Sequence, residues 1–389
     1  MHNRPQQNPK FVYDGKRIQP VYERKFTDYS SALLYEEYEN YMPTIDSAVN
    51  KHLDLSSQIL NMKPISLCTP KEAAPTQFAQ MCINKIRSPV NAVCWAPDGR
   101  RVLSGLNSGE ITMWNGFTFN FDTILQAHFY PVKAMTWSNS MSLLATSDSK
   151  GIVKYWNNSM NNLQEAEIHG EAIKDLSFSY NDSKFVTASD DATLKIVDTY
   201  TTEVERTLSG HNWDVRKAQF HRRMALVASG GKDNLIKLWD PRSEQCLATY
   251  HYHKNTILSL KFMKDNYLIS GGKDQVVKMM DLRMMKECFT YKSTGDITSL
   301  GCTDKLIFSG NSLGEITYWE MFNQEIVATS DKNHENTIWA VDMHPAGHCL
   351  ASGGADYQVR FWLRPRPGQN AEADEEEEHE NEAMFIPGL

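Results

Sequence analysis

Histidine, serine, aspartate and tryptophan recur at fixed offsets in this sequence of 389 residues. One set is His211, Ser229, Asp233 and Trp239, and the same spacing returns in His334, Ser352, Asp356 and Trp362. A serine with a histidine and an aspartate is the side-chain set of a serine hydrolase, in which the imidazole takes the hydroxyl proton and the carboxylate orients the imidazole. A hydrolase site, however, needs one such set.

The repetition favours a structural interpretation of these polar residues. A hydrogen-bonded histidine, serine and aspartate can fix a turn in each unit of a repeat, and each buried hydrogen bond contributes about 1 kcal/mol net. We therefore expect both sets to be structural and the protein not to be an enzyme. The alternative is a hydrolase that uses Ser229, and its evidence would be turnover that is lost in Ser229→Ala while folding is intact.

The polar pattern is incomplete in the other repeats. The third keeps His169, Thr187 and Asp191 but ends in Val197, and the fifth keeps His253, Ser270 and Asp274 but ends in Met280. At the position expected for the acid, the first repeat has Ser108, the second has Lys150 and the sixth has Leu313. We expect the first and sixth repeats to depend on packing and to be the most specialised.

The elements that hold these residues follow from a period of 39 to 43 residues. Each repeat ends in a bulky residue that is usually followed by a polar one. The bulky residues are Trp114, Trp156, Val197, Trp239, Met280, Trp319 and Trp362. Period-two alternation, as in residues 132–137, predicts β-strands with one buried face. Because the period is that of a WD40 blade, the sequence predicts an all-β fold, a seven-bladed WD40 β-propeller with four strands in each blade.

The predicted ring spans residues 76–365. An N-terminal basic and aromatic arm with a linker over 1–75 precedes it, and an acidic, disordered C-terminal tail over 366–389 follows it. The last repeat has no outer strand in its own segment, whereas residues 76–85 form an unassigned apolar run. We therefore expect this N-terminal segment to close the ring, which removes the free sheet edge.

Composition argues against several function classes. Hydrophobic residues make up 41% of the chain, but no stretch approaches the roughly 20 apolar residues of a membrane span, and the first ten residues do not read as a signal peptide. The seven cysteines contain no Cys-x-x-Cys pair, which is typical of reduced thiols in an intracellular protein. Without a Walker loop, dinucleotide fingerprint or His-Glu-x-x-His motif, we expect no cofactor, metal, small-molecule substrate or membrane association.

The arm before the ring differs from the repeats in charge and aromatic content. Residues 1–25 carry a net charge of +4, whereas residues 371–382 hold eight acids. The arm contains the aromatic residues Phe11, Tyr13, Tyr22, Phe26 and Tyr29 and the bases Lys16, Arg17, Arg24 and Lys25. Proteins grip single-stranded nucleic acid with such residues. The same composition also fits a solvated tail or a strap across the ring. In the first blade, Phe117, Phe119 and Phe121 alternate, which predicts strand packing.

Several segments outside the generic WD40 pattern resemble one family. They include Phe-Val-Tyr-Asp-Gly-Lys-Arg at 11–17, Arg-Lys-x-x-Asp-Tyr at 24–29 and Trp-Asn-Gly-x-Thr-Phe-Asn-Phe-x-Thr-Ile-Leu-Gln-Ala-His at 114–128. The family is the WD-repeat subunit of the mRNA cleavage and polyadenylation specificity factor, called polyadenylation factor subunit 2 in yeasts. The resemblance covers the arm and all seven repeats, and it departs from the family at Gln19, where relatives have another base.

The resemblance implies a non-enzymatic nuclear subunit of the pre-mRNA 3′-end processing machinery. Such a subunit is a scaffold that helps to bind the AAUAAA signal of pre-mRNA, together with a zinc-finger subunit and a large β-propeller scaffold subunit. The RNA-contacting positions that the family implies are Tyr13, Lys16, Arg17, Phe121 and Ile124, and we add the arm bases Arg24 and Lys25. The alternative is a WD40 adaptor of another class, a ubiquitin-ligase substrate receptor or a chromatin reader, using the ring surface and Trp213.

Overall fold

A computed structural model describes residues 68–84, 86–263, 266–303, 305–330 and 333–365, and the backbone of 11–13 and 18–20. Almost all regular structure in these ranges is β-strand, and the helix α1 (Pro70–Ala73) has four residues. No helix in the described part of the chain is long and apolar enough to cross a membrane.

Seven antiparallel four-stranded sheets make up the ring, and they are numbered here in chain order. Blade 1 contains β4 (Val90–Trp95), β5 (Arg101–Leu106), β6 (Glu110–Asn115) and β7 (Phe121–Gln126). Blade 2 contains β8 (Val132–Trp137), β9 (Leu143–Asp148), β10 (Ile152–Asn157) and β11 (Asn162–Glu167). Blade 3 contains β12 (Ile173–Phe178), β13 (Lys184–Ser189), β14 (Thr193–Asp198) and β15 (Val204–Ser209). Blade 4 contains β16 (Val215–Phe220), β17 (Val227–Gly231), β18 (Ile236–Trp239) and β19 (Cys246–Tyr250).

The remaining blades repeat this order. Blade 5 contains β20 (Ile257–Met263), β21 (Tyr267–Gly272), β22 (Val276–Asp281) and β23 (Lys286–Lys292). Blade 6 contains β24 (Ile297–Cys302), β25 (Leu306–Asn311), β26 (Ile316–Glu320) and β27 (Ile326–Thr329). Blade 7 contains β28 (Ile338–Met343), β29 (Cys349–Gly354), β30 (Gln358–Leu363) and β3 (Gln77–Ile83). The predicted seven-bladed β-propeller is confirmed.

The outer strand of blade 7 comes from the N-terminal side of the ring, as the sequence predicted. Strand β3 pairs antiparallel with β30, so that Phe78 lies opposite Trp362 and Ile83 opposite Gln358. The segment before β3 is fastened as well, because Lys305 donates to the carbonyl of Cys68 at 2.7 Å and the Tyr318 hydroxyl donates to the carbonyl of Pro75 at 2.8 Å. The ring is therefore closed by strand pairing between distant parts of the chain.

A polar hydrogen bond crosses every junction between neighbouring blades. At five of the seven junctions a side chain of the first strand of one blade accepts a backbone N–H of the first strand of the next, in the pairs Asp175–Ala218, Gln219–Phe262, Ser259–Leu300, Ser299–Val341 and Asp342–Trp95. At the other two junctions, Asn91 Nδ2 donates to the carbonyl of Val132 and Ser147 Oγ donates to the carbonyl of Ile173. Because each bond satisfies a buried backbone group, neighbouring blades are held in register.

Glycine in the second strand allows neighbouring blades to approach closely. A Cβ atom at Gly230 would lie 2.7 Å from Ile257 Cγ2, and one at Gly353 would lie 2.5 Å from Val90 Cγ1. Real Cβ atoms do not come that close, so these positions require glycine.

The ring has two faces, which are distinguished by their turns. The lower face carries the turns between the first and second strands and between the third and fourth strands of each blade, such as 96–100 and 116–120. The opposite face is called the upper face.

Candidate nucleic-acid interface

The predicted arm is described only in part. Strands β1 (Phe11–Tyr13) and β2 (Ile18–Pro20) form a two-stranded antiparallel sheet in which Tyr13 lies opposite Ile18. Among the proposed RNA contacts in the arm, Lys16, Arg17, Arg24 and Lys25 lie outside the described residues, as does the side chain of Tyr13. The predicted positions in blade 1 are fully described.

A β-bulge in blade 1 brings Phe121 and Ile124 to the same side of strand β7. Side chains alternate along a strand, so residues three apart normally face opposite ways. The register shifts between Met113 and Trp114, however, and places Phe121 opposite Trp114 and Ile124 opposite Thr112. Trp114 and Thr112 are two residues apart and share one face of β6, and each paired side chain points the same way as its partner. Phe121 and Ile124 therefore share a surface.

Phe121 is the exposed member of this surface. Its side chain is 55% exposed, and its ring meets Trp114 edge to face, with 6.1 Å between ring centroids. Ile124 is partly buried. Next to Phe121, Asp122 forms a salt bridge with Arg101 at 3.2 Å. The surface thus offers one fixed aromatic face, an aliphatic neighbour and an adjacent ion pair.

The prediction that Phe117, Phe119 and Phe121 alternate along a strand is wrong. Strand β7 begins only at Phe121, and Asn115 Oδ1 accepts the backbone N–H of Phe117 at 2.9 Å, which forms a turn. Phe119 has a left-handed backbone with φ of 56° and is completely buried. Its ring stacks on Phe361 of blade 7 with 4.2 Å between centroids. The sequence alternation was misleading because the turn sends Phe119 into the core and leaves Phe121 outside.

The closing strand supports the turn before Phe121. Cys82 Sγ donates to the carbonyl of Phe119 at 2.9 Å, and Gln80 Nε2 donates to the same carbonyl at 3.4 Å. Both side chains belong to β3, which follows the arm in the sequence. The turn that leads into Phe121 and the strand that follows the arm are thus in direct contact.

The polar residues that resemble a hydrolase form a hydrogen-bonded chain in each repeat where they occur. In blade 4, His211 lies 2.8 Å from Asp233 through Nδ1 and 2.6 Å from Ser229 Oγ through Nε2, and Trp239 Nε1 donates to Ser229 Oγ at 2.8 Å. Blade 7 repeats this, with Asp356 at 2.8 Å and Ser352 at 2.7 Å from His334 and with Trp362 Nε1 at 2.9 Å from Ser352 Oγ. The structure therefore brings both sets together.

The donors and acceptors of this chain fit a neutral imidazole. A tryptophan N–H can only donate, so the serine oxygen accepts from it. A carboxylate can only accept, so Nδ1–H of the histidine donates to the aspartate, and in a neutral imidazole Nε2 is then left to accept the serine proton. Burial lowers the pKa of His334, although its hydrogen bond to Asp356 acts in the opposite direction. Burial raises the pKa of Asp233, but the hydrogen bond from His211 leads the effects that outweigh it and leave the pKa below its usual value.

Both serine hydroxyls are inaccessible. Ser229 and Ser352 are completely buried, and each hydroxyl is already bound by a histidine and a tryptophan. A nucleophile must reach the reacting atom of its substrate. The geometry of these residues fixes turns and offers no attacking oxygen at the surface.

Two other blades show polar residues that sequence offsets did not reveal. In blade 2, Asp148 lies 3.4 Å from His128 Nδ1 and replaces the acid expected at Lys150. In blade 6, Asn311 Nδ2 donates to Thr294 Oγ1 at 3.1 Å, and Thr294 Oγ1 donates to Glu315 at 2.6 Å. A search for any acid near the turn, instead of one at a fixed offset, would have found Asp148.

The remaining sequence candidates lie elsewhere. Trp213 is 60% exposed on the upper face, with Lys232 Nζ 5.8 Å from its ring centroid. Among the described residues, no group of three or more His, Cys, Asp or Glu side chains could hold a metal ion.

Sequence comparisons find two kinds of similarity. The WD domain, G-beta repeat pattern matches residues 80–115, 120–157, 161–198, 202–240, 244–281 and 325–362. The matches omit 282–324, which contains the first three strands of blade 6, although this blade has all four strands. The omission agrees with the missing histidine and aspartate there.

Several fungal relatives are named polyadenylation factor subunit 2. The relative from Gibberella zeae is 36% identical over 95% of this chain and 66% of its own length, and that from Neurospora crassa is 36% identical over 84% and 55%. The relative from Schizosaccharomyces pombe is 34% identical over 91% of this chain and 76% of its own length. The chain thus spans about half to two thirds of the length of the first two relatives.

Proposed function

Because the chain belongs to the WD40-repeat proteins and, among them, to the polyadenylation factor subunit 2 family, we propose that it is a non-enzymatic scaffold and RNA-recognition subunit of the pre-mRNA 3′-end processing machinery. In this role it helps to bind the AAUAAA signal in the nucleus. It acts together with a large β-propeller scaffold subunit and a zinc-finger subunit.

The observation that carries the RNA-binding proposal is the shared face of Phe121 and Ile124. An exposed aromatic ring held by Trp114 and a bulge is suited to stack on an unpaired base, and such stacking contributes about 1 to 3 kcal/mol per base. Because the ring is already fixed, little rotamer freedom is lost on binding. The basic residues Lys16 and Arg17, which lie between β1 and β2 in the sequence, supply positive charge for contacts with phosphates.

The buried serines support a role without catalysis. Ser229 and Ser352 stabilise turns, and repeated turns make a platform with many loops for partners. The repeat architecture thus accounts for scaffolding, and the residues outside the repeat pattern account for RNA recognition.

The test uses the chain assembled with its scaffold and zinc-finger partners and a short RNA that contains AAUAAA. We expect Phe121→Ala to weaken binding by about fivefold to 100-fold, the loss of one stacked base. Fluorescence anisotropy measures the affinity, with an AAGAAA RNA to report selectivity. The matched control is Phe129→Ala, because Phe129 is 90% exposed in the turn after the same strand but on the upper face.

A second variant tests the arm. Lys16→Ala combined with Arg17→Ala should reduce affinity and flatten the dependence of log affinity on log salt by up to about 1.4, since each phosphate contact to a single strand contributes about 0.7. If affinity and AAUAAA preference are unchanged in both this variant and Phe121→Ala, the RNA-recognition proposal is wrong.

A further inference from the structure

A second basic and aromatic surface lies on the lower face, between blades 3 and 4. We call it the blade 3–4 groove. It has a volume of about 360 Å³, and its lining includes Tyr180, Lys184, Arg206, Arg223, Met224 and Arg242. Four basic residues and one acidic residue, Glu205, line the groove, which gives its lining a net charge of +3. It is separated from Phe121 by the whole of blade 2.

Two turns that border the groove are held by their own side chains. His221 is buried, and its Nδ1 accepts the backbone N–H groups of Arg223 at 3.1 Å and Met224 at 2.9 Å. Asp240 Oδ1 accepts the N–H of Arg242 at 2.8 Å. These bonds fix the backbone of both arginines before any ligand arrives, so less conformational entropy is lost on binding.

A tyrosine ring lies beside these basic residues. Tyr180 lines the groove and is 67% exposed. The turn that carries it is held by the backbone N–H of Thr199, which donates to the carbonyl of Ser183, another lining residue, at 2.9 Å. An exposed aromatic face next to preorganised arginines provides both stacking and phosphate contacts.

The support for Arg242 comes from a neighbouring blade. Arg206 donates to the carbonyl of Arg242 and lies 3.9 Å from Glu244. Lys184 pairs with Glu205 at 2.5 Å. Lys184 and Arg206 thus contact the acids here, and Arg223 and Arg242 are exposed at the groove.

We propose that the blade 3–4 groove binds single-stranded RNA that flanks the signal held at blade 1. Arginines would contact phosphates and Tyr180 would stack on a base, without sequence preference. An acidic protein segment would use the charge but would leave the exposed ring of Tyr180 without a role, so the observations favour RNA. The inference rests on the proposed function, because the same RNA must already be held at the blade 1 surface.

The experiment compares two RNAs on the assembled complex. One contains AAUAAA alone, and the other adds about 10 nucleotides of unstructured sequence on each side, within the range that one binding groove occupies. Arg223→Gln with Arg242→Gln should weaken binding of the longer RNA about tenfold and reduce its salt slope by up to about 1.4. Tyr180→Ala should also weaken it. Affinity for the short RNA should not change.

The matched control is Lys254→Gln with Lys273→Gln, which removes the same charge from two exposed turns of the upper face. It should leave both RNAs unaffected. If the arginine variant binds the longer RNA as the unmodified protein does, the proposal is wrong. It is also wrong if a peptide of residues 371–382 binds the groove and the longer RNA does not compete with it, because the groove then binds an acidic protein segment.

Failure of the proposed function gives a different result. In that case Phe121→Ala leaves the short RNA unaffected, whatever the arginine variant does. If only the groove proposal is wrong, Phe121→Ala still weakens binding of the short RNA, and the arginine variant has no larger effect on the longer RNA than on the short one.

Discussion

Blade 4 and blade 1 use different residues to support the tryptophan of their third strand. Both have a tryptophan that donates to a buried serine, Trp239 to Ser229 and Trp114 to Ser104. Blade 4 extends this bond through His211 to Asp233, whereas blade 1 packs aromatic rings, with Phe119 stacked against Phe361. Residues that recur in several blades fix the ring. Residues found in one blade are therefore the better candidates for function.

The largest expected effect is at Phe119. Phe119→Ala should lower the free energy of unfolding by about 3 to 5 kcal/mol, because it removes a completely buried ring that stacks across the blade 7 junction. Guanidinium denaturation followed by tryptophan fluorescence measures the change. The matched variant Phe121→Ala should change it by less than about 0.5 kcal/mol, because Phe121 is exposed. Equal losses would show that the two rings are not divided between core and surface.

A smaller loss is expected from the polar chain of blade 4. Ser229→Ala should lower the free energy of unfolding by about 2 to 4 kcal/mol, since His211 Nε2 and Trp239 Nε1 both lose their partner in a buried site. The control is Ser309→Ala in blade 6. Among the described residues, Ser309 Oγ and Trp319 Nε1 have no hydrogen-bond partner, so this variant should cost little. A large loss at Ser309 would contradict the assignment.

The smallest effect concerns acid stability. Burial raises the pKa of Asp191, but its hydrogen bonds with His169 and Thr193 lower it to about 2. A carboxyl with a lower pKa in the folded state stabilises the fold fully above its unfolded pKa of about 3.9, and the contribution is lost as pH falls toward 2. Unfolding midpoints at pH 7, 5, 4 and 3 should therefore fall, and Asp191→Asn should show a smaller fall. Glu325→Gln, with the same charge change at an exposed position, should behave like the unmodified protein.

The fold could be predicted from the sequence because each blade repeats the same requirements. Terminal residues such as Trp239 and Trp362 recur with the blade period, and the apolar run before the first blade matched the missing strand of the last. Register within a strand was harder. The extra residue at the bulge reverses the direction of every later side chain, so no alternation rule could place Phe121 and Ile124 on one face.

The parts that escaped sequence analysis depend on turns. Asp148 approaches His128 from two residues before the expected position, and Phe119 enters the core through a left-handed backbone. The blade 3–4 groove combines Tyr180, Arg223 and Arg242 from three turns of two blades. Residues that are distant in sequence and share no period give no signal until the strands position them.

The pairing of β3 with β30 also sets the order in which the molecule can be completed. About 280 residues separate the two strands, so β3 leaves the ribosome long before its partner exists. At a synthesis rate of about 5 to 20 residues per second, the wait is roughly 15 to 55 seconds. During that time β3 has no sheet to join, and blade 7, once formed, presents an open edge that other chains could pair with. A newly made chain is therefore most prone to pair with other chains just before β3 joins β30.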